Sequence, residues 1–135
     1  MAKSFRDLKV WNRAIDLTTL VYELTADSPN HEIYGLTSQM RRAAVSVASN
    51  IAEGSARGTD RDFRQFVKMA RGSNCELQTQ LTISYRLRFG EQEKRERTEA
   101  LSQEVGKMLS GLSGFLTKRI NGGDAVANAD VTTDH

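Results

Sequence analysis

Five basic side chains, Arg57, Arg61, Arg64, Lys68 and Arg71, follow one another at alternating spacings of four and three residues. At about 100° per residue, that spacing gathers them into one roughly 80° arc of a helix. Guanidinium and ammonium groups in such a row can neutralise successive phosphates, which is the sequence-independent part of nucleic-acid binding. In the same stretch Phe63, Phe66, Val67, Ala70 and Leu77 point about 135° away, so the helix has a packed side and a basic side. A charge run of this kind also suits plain solvation. Arg41 and Arg42, one helix upstream, would extend the basic surface if their helix lay beside this one.

The remaining residue types narrow the chemistry. His31 and His135 are the two histidines, one beside a turn and one at the last position, which leaves little material for a histidine-based metal or nucleophilic site. A di-iron bundle needs Glu-x-x-His on two helices, and no such pair occurs. Gly54-x-x-x-Gly58 lacks the Lys-Ser/Thr of a phosphate loop. The lone Cys75 reads as a structural thiol in a reduced compartment. Glu53 and Glu76 are the one carboxylate pair considered for catalysis, and neither has a recognisable partner set. The expectation is a non-enzymatic protein with no metal and no cofactor. A polar amino end and the lack of any long apolar run predict neither export nor membrane spanning, with the cytoplasm as the default.

Helical periodicity accounts for most of the 135 residues, and no strand pattern is convincing. Helix 1 is expected from about Phe5 to Ala26, apolar along Leu8, Trp11, Ile15, Thr18 and Tyr22 and again along Val10, Ala14, Leu17, Val21 and Leu24. After turn chemistry at Asp27-Ser28-Pro29-Asn30, helix 2 can open at Glu32 and run to about Ala52, where Gly54 and Gly58 end it. Its main face is Leu36, Met40, Ala43, Ala44, Val47 and Ile51, and a second small-residue face is Val45, Ala48, Ala52 and Ala56. The polar residues Gln39, Arg42, Ser46, Ser49, Asn50 and Glu53 lie between, where they can satisfy one another or serve as a binding strip, with Glu53 in reach of Arg57. Asp60 is expected to cap helix 3, which runs to about Phe89 before Gly90. Helix 4 follows from about Gln92 to Ile120 on a seam of Leu101, Val105, Met108, Leu109, Leu112, Phe115 and Leu116.

Four long helices with short breaks predict an all-α, up-down antiparallel four-helix bundle over residues 1–120. All 19 Lys and Arg residues precede position 120, whereas Asp124, Asp130 and Asp134 lie in residues 121–135, which are expected to form a flexible polar tail. Two apolar sides on helices 1 and 2 call for burial on two sides, which a second subunit can supply in a domain this small, as can a central place within one domain. The expected homo-oligomer interface is Val10, Leu17, Val21, Val45, Ala48 and Ala52.

Three stretches carry a resemblance: Phe5-x-x-Leu8-x-Val10-Trp11, the run from Tyr34-Gly35-Leu36 through Arg41-Arg42-Ala43-Ala44-Val45-Ser46-Val47 to Asn50-Ile51-Ala52-Glu53-Gly54, and Arg71-Gly72-Ser73-x-x-Glu76-Leu77. They resemble the four-helix-bundle proteins encoded in bacterial 23S rRNA intervening sequences, over roughly residues 5 to 119. The resemblance implies a bundle that assembles into a ring, a pentamer, without catalytic activity. More distantly the chain is similar to the accessory protein of diversity-generating retroelements, which implies a basic barrel that meets RNA or DNA and a nucleic-acid-processing protein. Two functions are therefore expected in competition. One is a ring that binds nucleic acid, most of all structured RNA, through the basic stripe, and the other is a structural or protein-interaction scaffold without such binding.

Overall fold

The computed structural model describes residues 4–27 and 35–133, with side chains through residue 123. Its elements are a 3-10 turn, Phe5–Asp7, and helices α1 (Lys9–Leu24), α2 (Leu36–Ala56), α3 (Asp60–Arg86) and α4 (Gln92–Thr133), with no strand among the described residues. The expected turn at Ser28-Pro29-Asn30, the opening of helix 2 at Glu32, and both histidines lie outside the described residues.

Helix 1 starts four residues later than expected because Leu8 is extended, with φ −76° and ψ 124°. The Asn12 side-chain amide donates to the carbonyls of Arg6 and Leu8, both at 2.9 Å, and Phe5 meets Trp11 edge-on at 5.1 Å, so the short turn is fastened onto α1. α2 runs through Gly54, which is buried where α2 crosses α3. A Cβ there would lie 2.5 Å from Phe66 Cβ, so the glycine serves close approach and not termination. The stop comes at Gly58, φ +91°. Thr59, rather than Asp60, caps α3, its hydroxyl accepting the Asp62 N–H at 3.1 Å. α4 runs on to Thr133 instead of ending near Ile120.

Each helix touches two others: α1 packs on α2 and α4, and α3 packs on α2 and α4. The core is Leu17, Val21, Met40, Val47, Ile51, Val67, Leu77, Val105, Leu109 and Leu116, with Ala14, Ala43, Ala44, Ala48 and Ala70 allowing the helices to approach closely. Among the buried polar residues, Asn74 and Ser102 form a pair. Asn74 Nδ2 donates to the Ser102 carbonyl at 2.9 Å and Ser102 Oγ donates to Asn74 Oδ1 at 2.8 Å, so both buried residues are satisfied. Ser102→Ala is expected to leave the Asn74 oxygen unpartnered and cost about 1–3 kcal/mol in urea denaturation. Parental stability in that variant would mean water fills the gap.

The expected subunit interface needs correction. Val10, Leu17 and Val21 are buried inside the protomer because α1 turns that stripe toward α2 and α4, and Ala48 is buried because α2 packs between α1 and α3. Val45 is exposed and Ala52 half-buried, and on α1 it is the other stripe, with Ile15 39% and Tyr22 45% exposed, that remains at the surface. The polar strip of α2 is largely self-satisfying: Ser46 and Ser73 hydroxyls meet at 2.8 Å, Asn50 donates to Ser46, and Glu53 pairs with Arg57 at 3.2 Å.

Arg13 closes the α1–α4 seam on Glu104 at 2.8 Å and also pairs with Asp16 at 2.9 Å. The hydrogen bond from Arg13 holds the Glu104 carboxyl below its ordinary value of 4.5 against a smaller desolvation cost. A carboxyl with a depressed folded pKa contributes stability above its unfolded value and loses it as pH falls through the folded one. Glu104→Gln is therefore expected to flatten the acid limb of the stability profile below pH 4.5. An unchanged limb in denaturation at a series of pH values would contradict it.

Candidate nucleic-acid interface

Along α3, azimuth decides which residues face α4, which face the core and which face solvent. Val67, Ala70 and Leu77 are buried, and Arg61, Lys68 and Arg71 are exposed on the other side. Arg64, half-buried between these sides, reaches across to α4 and donates from Nη1 to Thr117 Oγ1 at 3.3 Å. Lys68 and Arg71 make no ion pair among the described residues. The expected α3 stripe is thus a continuous basic edge. Its first member is set apart: Arg57 lies in the turn after α2, paired to Glu53 at 3.2 Å with its guanidinium 5.0 Å over the Phe66 ring.

Beside this edge runs an open groove of about 520 Å³ between α3 and α4, lined by Arg71, Asn74, Cys75, Gln78, Gln103, Gly106, Lys107 and Ser110. The described lining holds two cations and no carboxylate. Asp60, at the far end of the edge, is neutralised by Arg119 at 3.0 Å. Cys75 is exposed on this groove rather than buried with Leu77, since two positions on a helix place side chains about 200° apart.

Arg41 and Arg42 do not extend the stripe. Arg41 turns toward α1, donating from Nε to Thr25 Oγ1 at 2.9 Å and stacking 4.5 Å over Tyr22. Arg42 borders the groove between α2 and α3 with Ser73 and Glu76, positions on α3 that lie about 140–200° around the helix from Arg71. Glu53 and Glu76 are not brought together. Ser46 sits level with Ser73 and Gly54 with Phe66, which separates the two carboxylates by roughly 14 Å of helix axis. No cluster of three or more His, Cys, Asp or Glu side chains that could hold a metal occurs among the described residues. No helix among them is long and apolar enough to cross a membrane.

Lys107 escaped the sequence reading. It lies off the apolar seam of α4, and only the pairing of α4 with α3 shows that it stands beside Arg71. Lys118 is eleven positions on and so falls within about 20° of the same azimuth, a spacing that sequence alone could have yielded.

No curated protein matches the sequence. Among solved structures, a protein of unknown function from the S23 ribosomal protein family of Bacteroides thetaiotaomicron is similar in fold, with a TM-score of 0.69 over 77% of this chain and 97% of that one at 19% identity. Residues 6–111, from within the first turn to the middle of α4, match the profile of the 23S rRNA-intervening sequence proteins. With so much of its length matched, the chain belongs to the 23S rRNA-intervening sequence protein family.

Proposed function

We propose that the protein is a non-enzymatic, ring-forming four-helix bundle of the cytoplasm that binds structured RNA through phosphate contacts from Arg61, Arg64, Lys68 and Arg71. The observation that carries this reading is the unpaired basic edge of Lys68 and Arg71 beside a groove whose described lining holds no carboxylate. A merely solvated stripe gains stability from acids interleaved with its bases, and these two residues have none. An up-down antiparallel arrangement is part of the proposal. It is supported by partners whose numbers run in opposite directions on α3 and α4: Asp60 with Arg119, Arg64 with Thr117, Asn74 with Ser102.

The homo-oligomer, a pentamer by family resemblance, uses α1 and α2 through the surface left outside the core: Ile15, Tyr22, Val45 and Ala52. Light scattering should give a mass near five times 15.0 kDa, and Val45→Glu should lower it. A monomer mass at micromolar concentration would defeat the oligomer.

Binding is tested with the variant carrying Arg61→Glu, Arg64→Glu and Lys68→Glu. The parent is expected to bind RNA with a steep salt dependence, and the variant to lose at least about a hundredfold at low salt while keeping its helicity and mass. Absence of parental binding at low salt would favour the scaffold reading and send the search to protein partners.

A further inference from the structure

The basic edge of α3 faces a second row of bases that sequence reading left unassigned. Lys107 shares the groove with Arg71. Lys118 continues the Lys107 azimuth toward the level of Arg64, whose guanidinium already reaches Thr117 next to it. Both lysines are exposed and make no ion pair among the described residues. Between the two rows the α4 surface is cut low. Gly106 and Ser110 line the groove, and Gly114 follows at the same spacing with nothing within 4 Å of where its Cβ would be. A mid-helix glycine costs roughly 1 kcal/mol against alanine. Gly114 has no neighbour in the protomer that requires the cost, and it leaves the α4 surface low beyond the Ser110 end of the groove.

We infer that the α3–α4 groove seats a single row of phosphates, with Lys107 and Lys118 contacting it opposite Arg61, Arg64, Lys68 and Arg71. This rests on the phosphate-binding reading above and gives it a geometry. Packed helices lie about 8–10 Å apart, and Arg71 and Lys107 line the same groove, so the two rows border one line of anions and not two lines flanking a duplex groove. The rows run about 15 Å along the bundle, enough for four or five phosphates at the per-strand spacing of a duplex. No aromatic side chain is among the described residues lining the groove, so bases there receive no stacking platform and turn away from the protein. The ligand class is a linear phosphate chain read without its bases, a chemistry shared by the backbone of RNA and by inorganic polyphosphate.

The test compares the parent, Lys107→Gln with Lys118→Gln, and a control of equal charge change on the α1 side, Lys9→Gln with Arg97→Gln. Fluorescence anisotropy with labelled single-stranded and duplex RNA is run over a salt series, and long-chain polyphosphate is used as competitor. The groove variant should lose about 1.5 of the log–log salt slope, two contacts at roughly 0.7–0.9 each, on both RNAs, with the control near the parent. Polyphosphate should displace RNA from the parent and do so less well from the groove variant. A parental slope in the groove variant, an equal loss in the control, a loss confined to duplex RNA, or failure of polyphosphate to displace bound RNA would each overturn the channel. In all four cases the α3 edge could still bind RNA. Failure of the α3 reversal to weaken binding removes the phosphate-binding reading itself, so the two failures are distinct.

Discussion

Gly54→Leu is expected to abolish cooperative folding at 25 °C, and Gly54→Ala to lower the melting temperature by several degrees. The Cβ that alanine adds would stand 2.5 Å from Phe66 Cβ and 3.1 Å from the Phe63 ring. Phe66 Cβ is bound directly to the α3 backbone, so no rotamer change relieves the overlap and the two helices must separate. Overpacking of this kind costs typically about 1–3 kcal/mol, against about 1 kcal/mol gained by alanine in helix propensity. At about 3–5 °C per kcal/mol for a chain of this size, the alanine variant loses a measurable amount. Leucine drives three further heavy atoms into the crossing and takes most of the roughly 5–15 kcal/mol that a domain possesses. Circular dichroism during urea and thermal unfolding reads both. An alanine variant with the parent's melting temperature would show that the α2–α3 crossing can open freely.

Leu77→Ala should cost about 2–5 kcal/mol, by loss of apolar contact and by the cavity left behind. Leu77 has no exposed surface, and many of its buried companions are alanines, so the few large side chains carry more of the core than they would in a leucine-rich bundle. The comparison residue is Ile83 on the same helix, 43% exposed, whose replacement by alanine should shift stability by only about 0.5 kcal/mol. The urea midpoint should fall in the first variant and barely move in the second, with the slope kept in both. Equal effects would mean that Ile83 is covered in the assembled protein.

Periodicity gave four helices and nearly all of the core because burial follows the 3.6-residue repeat directly. It also placed the basic edge, since azimuth is a property of one helix. It failed where two helices had to be related. Val10 and Ile15 both lie on apolar stripes of α1, and only the positions of α2 and α4 determine that Val10 is covered and Ile15 is not. The same limit placed Arg41 with the stripe, although Tyr22 and Thr25 hold it toward α1, and passed over Lys107, which matters only beside Arg71. Gly54 reads as a helix stop from sequence because a glycine demanded by a neighbouring helix looks, in one sequence, like a glycine that ends its own.

The seam between Arg13 and Glu104 joins residues 91 positions apart, whereas Ser46 meets Ser73 across 27 and Asn74 meets Ser102 across 28. Chain-closure entropy rises with the logarithm of loop length, so the longer closure costs about 1 kcal/mol more before any contact repays it. The α2–α3 and α3–α4 pairs can therefore assemble first, with α1 docking onto α4 after the rate-limiting barrier. Substitutions at Arg13 or Glu104 would then hasten unfolding and leave the folding rate nearly unchanged, giving φ-values near zero, so the seam governs how long the bundle lasts and not how quickly it forms.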